Sequence, residues 1–323
     1  MAPPKPPASP APPGSDGEDA AIERIGLALA EVQGGPPTGE VWLGDDAAVV
    51  APPEGFLLLA TDAALAGVHA DLALVGLDDL GWKALTAAVS DIGAMGGRPV
   101  HALVTACVPP GTDLDALIAG VAGAARATGC VVVGGDLSTA GQVVVSVAVT
   151  GTLEGDGPPV TRSGADPGAH LFVTGPLGSS AAGLRLLRRG GDPSPGGAAL
   201  VDAHRRPRAR VAEGVAARRG GASAMIDVSD GLSIDLDRLA LASGVGVRLD
   251  ALPVAEGATP AEGLGGGEDY ELVIAAPDPG RLEGAFAAAG LSPPLPIGRC
   301  TDQPAERTLD GEPLPRTGWE HRL

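Results

Sequence analysis

Apolar segments of two kinds alternate along the chain, and this alternation limits the folds that it can adopt. Residues 78–95 and 114–128 carry apolar side chains at helical spacing, and residues 20–32 do so over a shorter stretch. Short apolar runs lie between and after these helices, and they predict strands at 47–50, 56–60, 101–108, 130–133 and 142–150. Strands that alternate with helices are typical of an α/β domain.

A cluster of glycine, proline and acidic residues at 154–159 predicts a boundary between two domains. The later segments predict strands at 171–173, 224–226, 245–249 and 270–275, and helices at 179–189, 201–219 and 231–242. Residues 1–18 are rich in proline and have no periodicity, which predicts a disordered tail. We therefore expect a tail at 1–18, an N-terminal domain at 19–153 and a C-terminal domain at 154–323.

The composition supports a folded chain that does not bind nucleic acid. The 50 glycines and 31 prolines are many, but 44% apolar against 19% charged residues still allow a sizeable core. Only 2% of the residues are aromatic, so alanine, valine and leucine must build that core. With 40 acidic against 22 basic residues the net charge is −18, and no extended basic surface is available for a phosphate backbone.

Cysteine usage and the lack of long apolar runs indicate the compartment. Cys107, Cys130 and Cys300 are widely spaced and form no C-x-x-C pattern, so neither a disulfide framework nor a structural zinc site is indicated. No segment approaches the roughly 18 apolar residues that span a bilayer, and the N-terminus lacks the apolar core of a secretion signal. We expect a cytoplasmic protein without a membrane partner.

Several acidic residues lie beside the most apolar segments and are flanked by glycine or serine. They are Asp45, Asp46, Asp62, Asp91, Asp136, Asp227, Asp230, Glu268 and Asp269. Singly, each has an ordinary structural explanation: Asp230 would cap a helix, and residues 134–136 would form a hairpin turn. Together, at the ends of strands, they would form one site, since ligands of open α/β sheets bind there.

Carboxylates that converge in this way require a cation. Two unit charges 4 Å apart repel by ~4 kcal/mol at an effective dielectric constant near 20. Because no Cys/His cluster is available, carboxylate and hydroxyl oxygens favour Mg²⁺, which completes its shell with phosphate oxygens and water. An acidic site with Mg²⁺ indicates a nucleotide polyphosphate as ligand.

Three further features are less specific. Residues 175–183, GPLGSSAAG, follow a strand and open a helix, so their amides either hold an anion or allow tight helix packing. Arg162 is either a phosphate clamp or a surface arginine. His69 follows Asp62 by seven residues and either lines the same pocket or faces solvent.

Seven segments carry motifs in a fixed order: GDDAAVV, ATDAALAGVH, GWKALTAAVSDIGAMGGRP, VVVGGD, VTRSGADPG, AMIDVSDGLSIDL and GGGEDYEL. This series resembles the thiamine-monophosphate kinase family, which is related to aminoimidazole ribonucleotide synthetase and selenophosphate synthetase. The resemblance runs from about residue 20 to the C-terminus. It implies an N-terminal α/β domain that forms a homodimer and a C-terminal α+β domain. It also implies ATP and several Mg²⁺ ions near the dimer interface, and direct transfer of phosphate from ATP to thiamine monophosphate.

The resemblance also implies site residues at matching positions. Metal ligands fall on Asp46, Thr61, Asp62, Asp91, Asp136, Asp227 and Asp230, of which Asp91, Asp227 and Asp230 are the catalytic positions. ATP contacts fall on Gly135, Asp136, Arg162 and Ser229, and thiamine contacts fall on His69, Glu268 and Trp319. Val68, Leu137 and Ala60 differ from the family's usual residues beside these positions.

The implied mechanism needs no general base, because a substrate phosphate is already a nucleophile at neutral pH, so alignment and charge neutralisation remain. One alternative is another ATP-dependent enzyme of the superfamily, of the selenophosphate synthetase or purine-biosynthesis type. The tail has no cysteine such as selenophosphate synthetases carry. The other alternative is a non-catalytic acidic metal-binding module, which closely spaced D-x-D-x-D ligands would favour.

Overall fold

A computed structural model describes residues 18–43, 47–52, 54–191 and 194–320. Asp46, predicted as a metal ligand, and residues 1–17 of the predicted tail lie outside the described residues. Within the described ranges, no helix is both long enough and apolar enough to cross a bilayer.

The N-terminal domain is a mixed sheet with helices. Its elements are α1 Glu18–Gln33, β1 Leu57–Leu65, α2 Leu77–Ala94, β2 Arg98–Val108, α3 Leu114–Thr128, β3 Val131–Thr139 and β4 Val144–Thr152. The strands pair in the order β1-β4-β2-β3, and β2 runs parallel to β3 but antiparallel to β4. The sheet is therefore mixed, with β1 and β3 at its two edges.

The two faces of this sheet differ in cover. Leu85 and Val89 of α2 share one core with Val145 and Val147 of β4, so α2 packs on this face. Side chains alternate between faces along a strand, and the opposite face carries exposed apolar residues. They are Leu57, Leu59 and Leu103. We call this surface, with its cross-strand neighbours, the open face.

The C-terminal domain contains a longer mixed sheet. Its elements are β5 His170–Val173, α4 Ser179–Arg188, α5 Pro195–Arg205, α6 Val211–Arg219, β6 Ala224–Asp227, α7 Leu232–Ser243, β7 Gly246–Leu249, α8 Pro260–Gly265, β8 Leu272–Ala276, α9 Pro279–Ala288, β9 Leu295–Thr301, β10 Arg307–Leu309 and β11 Glu312–Pro313. The strand order is β11-β10-β7-β9-β5-β8-β6. Every residue of β8 is buried, since helices cover both faces: α7 packs with Val273, and α9 packs with Ile274.

The structure corrects the sequence prediction at several elements. The helix predicted at 201–219 is two helices, α5 and α6, because Pro207 between them has no amide hydrogen for a continuous helix. The strand predicted at 47–50 is reduced to a single bridge between Val41 and Val49. Residues 134–136 lie inside β3, paired with β2, so the hairpin-turn interpretation is wrong.

Helix α2 lies between the two domains and brings them together. Gly93 near its C-terminal end faces Gly214 of α6, where an added Cβ would lie 2.0 Å from the Gly93 carbonyl oxygen. Only glycine allows this approach. As a result the last turns of α2 reach the end of β6, where the acidic residues of both domains meet.

Candidate active site

Two neighbouring residues of α2 reach an aspartate of the other domain. Ser90 is fully buried, and its hydroxyl donates a hydrogen bond of 2.6 Å to Oδ2 of Asp227 at the end of β6. Asp227 is itself only 4% exposed. Asp91, the next residue on α2, lies close enough to Asp227 to affect its ionisation. Asp91 and Asp227, which were expected in one site, therefore lie close together in the structure.

The carboxylates at this point repel one another. Burial and, to a lesser extent, the charge of Asp62 raise the pKa of Asp91 to about 6, while Arg162 acts in the opposite direction. Burial and the charge of Asp91 raise the pKa of Asp227 to about 6, against the Ser90 hydrogen bond and Arg162. We call Asp62, Asp91 and Asp227 the acidic group. A cation bound among them would reduce the repulsion between their carboxylates.

Asp230 lies in the loop after β6 and forms an ion pair. Oδ2 of Asp230 accepts a hydrogen bond of 2.6 Å from Arg238 of α7. The backbone amides of Asp230 and Gly231 donate instead to Asp235 in the first turn of α7, so Asp230 is not the helix cap considered from the sequence. Gly231 has φ of 123° and lies against the Gly265 backbone, which only glycine permits.

The segment GGEDY packs against this loop through its backbone. The amide of Glu268 donates to the Ser229 carbonyl at 2.8 Å, and the amide of Tyr270 donates to the Val228 carbonyl at 2.9 Å. Glu268 and Tyr270 have φ of 65° and 50°, a strained conformation for residues other than glycine. Trp319 joins them, because its amide donates to the Asp230 carbonyl at 2.9 Å, while its side chain is half exposed.

Lys83, on α2, binds two of the predicted thiamine contacts. Its ammonium donates to both carboxylate oxygens of Glu268, at 2.8 and 3.0 Å, and to the His69 carbonyl at 3.2 Å. The imidazole Nδ1 of His69 accepts a hydrogen bond from the Leu65 amide, so the ring in its neutral form carries its proton on Nε2. His69 and Glu268, distant in sequence, are thereby brought together.

A buried histidine adjoins this cluster. His204 of α5 lies 3.8 Å from Glu268 Oε2 and 3.1 Å from the Ser180 hydroxyl. Burial, and in addition the nearby charges of Lys83, Arg188 and Arg205, lower the pKa of His204 to about 3. The imidazole is therefore neutral at physiological pH. We call Lys83, Glu268, His69 and His204 the paired group.

Gly135 and Asp136 lie away from the acidic group of their own chain. The register runs from Asp62 through Val147 of β4 and Val104 of β2 to Gly135 on the far edge strand. The Asp136 carboxylate accepts a hydrogen bond of 2.9 Å from the Ser138 hydroxyl. Asp136 pairs with Thr105 and so points to the open face.

Thr61 and Asp62 are neighbours on β1, and their side chains alternate between the faces of the sheet. Thr61 pairs with Ala148 in the same row as Leu103, so its side chain points to the open face. Asp62 pairs with the fully buried Val147 and points to the covered face. The two side chains therefore do not face the same space.

Backbone amides within residues 175–183 already donate hydrogen bonds to a carboxylate of the chain. The carboxylate of Asp269 accepts hydrogen bonds from the amides of Gly178, at 2.5 Å, and Ser180, at 2.9 Å. Burial raises the pKa of Asp269 to about 6. Because a carboxylate of the chain already satisfies these donors at the start of α4, the anion-site interpretation of this segment is wrong.

The donor set fits a metal that uses few protein ligands. Among the described residues, no three His, Cys, Asp or Glu side chains are arranged to hold an ion unaided. Mg²⁺ commonly binds one or two carboxylates and takes its other ligands from phosphate and water. Asp91 and Asp227, with pKa values raised by burial and by a neighbouring carboxylate, are suited to that role.

Sequence analysis missed Lys83, Ser90 and His204. For Lys83 a signal existed, since it is a charged residue inside the apolar helical segment GWKALTAAV. For His204 none existed, because its neighbours Glu268 and Lys83 come from distant segments.

Comparison with known proteins gives one consistent result. Profiles of the AIR synthase related protein family match both domains, the N-terminal domain at residues 44–153 and the C-terminal domain at 166–310. A curated relative, thiamine-monophosphate kinase of Mycobacterium tuberculosis strain ATCC 25618 / H37Rv, is 37% identical over 284 residues. The match covers 86% of this chain and 84% of that protein.

Solved structures agree with the sequence relatives. Thiamine-monophosphate kinase from Stenotrophomonas maltophilia K279a aligns with a TM-score of 0.79 at 30% identity, over 91% of this chain and 97% of that chain. The structure of AaThiL complexed with AMPPCP and TMP aligns with a TM-score of 0.74 at 32% identity, over 95% of this chain and 97% of that chain.

Proposed function

The chain belongs to the thiamine-monophosphate kinases of the AIR synthase-related family, and we propose that it transfers phosphate from ATP to thiamine monophosphate at the junction of its domains. The products are ADP and thiamine diphosphate. The observation that supports this location is the closeness of the Asp62, Asp91 and Asp227 carboxylates. Phosphoryl transfer concentrates negative charge, and catalysis depends on cations held at that point.

Mg²⁺ is the cation that we assign to the acidic group. Asp91 and Asp227 would hold it, and Asp46, Asp62 and Asp230 would serve further Mg²⁺ ions. Carboxylate oxygens are its preferred protein ligands, and the pKa values of Asp91 and Asp227 are raised by burial and, in addition, by the charge of a neighbouring carboxylate. Bound there, the ion would neutralise charge on the transferring phosphoryl group.

The chain itself supplies alignment. No side chain needs to act as a base, since the substrate phosphate is the nucleophile in a direct in-line transfer. Arg162 is exposed, yet its charge reaches Asp91 and Asp227, so it is suited to contact a phosphate bound at the acidic group. Ser229 lies between Asp227 and Asp230 and would contact the nucleotide.

The thiamine end of the substrate would bind at His69, Glu268 and Trp319. The Glu268 carboxylate is 25% exposed and can accept hydrogen bonds from the aminopyrimidine. The half-exposed Trp319 ring offers an aromatic face to the cationic thiazolium. The neutral His69 ring presents a donor through Nε2.

We propose that the protein acts as a homodimer through the open face. Leu59 is 71% exposed and Leu103 is 46% exposed on this face, which is a typical feature of an interface. Gly135 and Asp136 lie three strands from Asp62, roughly 14 Å at a strand spacing of about 4.8 Å. We infer that these two residues serve the nucleotide site of the second copy.

Introducing a charged residue on the open face tests the proposed dimer. Leu59→Asp should give a monomer by analytical sedimentation, because a carboxylate would be buried at the interface without a partner. Leu241→Asp is the matched control, since Leu241 is 66% exposed on α7, away from the open face. A wild-type protein that is monomeric at micromolar concentration would contradict the dimer.

Mixing two inactive variants tests the shared site. Asp91→Asn and Asp136→Asn should each lose activity, and reassociation of the two should restore about a quarter of it, because half of the dimers then carry one intact site of two. Mixtures that stay inactive would place Asp136 outside the second copy's site.

One assay tests the function itself. The protein is incubated with ATP, Mg²⁺ and thiamine monophosphate, and thiamine diphosphate and ADP are quantified together. Equal amounts of both products, formed only when Mg²⁺ is present, are expected. Folded protein that binds ATP but makes no thiamine diphosphate at any Mg²⁺ concentration would overturn the proposal.

A further inference from the structure

The buried ammonium of Lys83 is a feature that the phosphate chemistry at the acidic group does not use. We propose that Lys83 is a positioning residue for substrate recognition, which fixes the Glu268 carboxylate and the His69 loop so that both face the thiamine end of the substrate. This inference rests on the proposed function, because it takes thiamine monophosphate as the molecule that Glu268 and His69 contact.

Burial shows that Lys83 acts on protein groups. Its side chain is 2% exposed, and a lysine is almost never buried to this extent unless it is paired. An ammonium has three N–H donors, and Lys83 has three acceptors within 3.2 Å, both oxygens of Glu268 and the His69 carbonyl. No donor remains for a substrate, so any effect of Lys83 on binding must pass through these partners.

Exposure distinguishes the two members of the ion pair. The Glu268 side chain is 25% exposed, whereas that of Lys83 is not accessible to a ligand of this size. The backbone of Glu268 is also fixed, by the hydrogen bond from its amide to the Ser229 carbonyl. With backbone and carboxylate both held, Glu268 presents its remaining lone pairs in one orientation, and a bound ligand need not order it.

The same ammonium fixes a second segment of the site. Lys83 binds the carbonyl of His69, and the His69 ring accepts the Leu65 amide, so both the backbone and the side chain of this residue are held. Glu268 and His69 belong to different domains, and Lys83 joins them. Loss of Lys83 should therefore leave Glu268 and His69 less well oriented for the thiamine end of the substrate, whereas the acidic group keeps its own contacts.

Kinetics of Lys83→Met provide the test, since methionine keeps the length of the side chain and removes its charge. The KM for thiamine monophosphate should rise roughly tenfold, because the bound substrate must then itself order the Glu268 carboxylate and the His69 loop. The KM for ATP and the kcat at saturating substrate should stay within a few-fold. Thermal unfolding is measured alongside, to show that the variant is folded.

Arg206→Met is the matched control. Arg206 also joins α5 to α2 across the domains, through Asp78 at 2.6 Å and Asp79 at 3.3 Å, but it does not touch Glu268 or His69. This variant should lose stability without a selective change in the KM for thiamine monophosphate. If Lys83→Met and Arg206→Met give the same kinetic profile, Lys83 has only a structural role and the inference is overturned.

A double variant separates action through Glu268 from an independent effect. Lys83→Met should raise the KM for thiamine monophosphate much less in a Glu268→Gln background than in the wild type, because the carboxylate that it orients is already neutral. Fully multiplicative effects would contradict the inference. A wild-type protein that makes no thiamine diphosphate would instead overturn the proposed function, so the two failures are distinct.

Discussion

Two charged regions meet at the domain junction, and they are built in opposite ways. In the acidic group, burial raises the pKa values of Asp91 and Asp227 to about 6, with a further contribution from the charge of Asp62 at Asp91 and of Asp91 at Asp227. In the paired group, the Lys83 ammonium lies 2.8 Å from the Glu268 carboxylate and compensates its charge. Helix α2 contributes to both regions, with Lys83 near its start and Asp91 near its end.

The difference indicates which ligand each region is built to receive. The acidic group concentrates three carboxylates near the exposed Arg162, and we expect it to favour a ligand that adds positive charge, such as a divalent ion with the phosphates that the ion binds. The paired group is neutralised by the chain, so it offers shape and oriented hydrogen bonds to an organic group. A substrate with phosphate at one end and a heterocycle at the other matches this arrangement.

Tyr270 lies where the fields of the two regions overlap. Burial raises the pKa of its phenol well above the usual value, and the charges of Glu268 and of the acidic group raise it further. The hydroxyl therefore remains a hydrogen-bond donor at any physiological pH. Tyr270 thus adds no charge to either region.

The largest expected effect comes from removing one charge of the acidic group. Asp91→Asn should lower kcat by roughly 100-fold or more, because the site loses a carboxylate that we assign to the cation. Without divalent ions at pH 7.5 the same variant should unfold at a higher temperature than the wild type. The raised pKa of Asp91 means that its ionised form is unfavourable in the folded state above pH 6, and asparagine removes that cost.

Asp250→Asn is the control for this variant, since Asp250 is exposed in the C-terminal domain and should change neither quantity. An Asp91→Asn protein with wild-type turnover would remove Asp91 from the catalytic group. One with lowered stability in metal-free buffer would contradict the uncompensated charge that defines the acidic group.

An intermediate effect is expected at Glu268 of the paired group and at Trp319, which we place at the same end of the substrate. Glu268→Gln and Trp319→Ala should each raise the KM for thiamine monophosphate roughly tenfold, the change that corresponds to one lost contact. The KM for ATP should stay within a few-fold, because we place the nucleotide at the acidic group and not at the paired group. Glu256→Gln, at an exposed glutamate, is the control. Equal changes for both substrates would mean that the two regions do not divide the ligands as described.

Residues whose role depends on local pattern could be predicted from the sequence. Helix α3 was predicted at 114–128 and lies at Leu114–Thr128, and Asp227 was expected at a strand end and ends β6. Asp62 and Asp136 were also interpreted as strand ends, but they lie inside β1 and β3. The alternation of apolar residues locates a strand well and its end poorly, because pairing with a neighbour decides where it stops.

Residues whose role depends on a contact with a residue far away in the sequence could not be predicted. Lys83 meets Glu268 across 185 positions of sequence, and Ser90 meets Asp227 across 137. Neither pair leaves a local pattern, since each forms only when α2 lies between the domains. The acidic group was therefore predictable in part from its motifs, whereas most of the paired group was not.

The smallest effect concerns His204, the uncharged member of the paired group. Its pKa is lowered to about 3 by burial and by the surrounding cations, so the folded state binds no proton there between pH 7 and 5, whereas the unfolded chain does. Stability from this residue is fully present above pH 6.5 and is lost as pH falls toward the folded pKa. Between pH 7 and 5 the loss amounts to about 2 kcal/mol in the free energy of unfolding.

Denaturant unfolding of His204→Gln at pH 7 and pH 5 measures this contribution. Glutamine keeps a polar group near the Ser180 hydroxyl but does not titrate, so the variant should lose less stability than the wild type over this range. The comparison uses the difference between the two proteins, because carboxylates with raised pKa values, such as Asp269, change stability in the opposite direction in both. If the stability of the wild type and of His204→Gln depended on pH in the same way, His204 would be charged in the folded state. Glu268 would then be compensated by His204 as well as by Lys83.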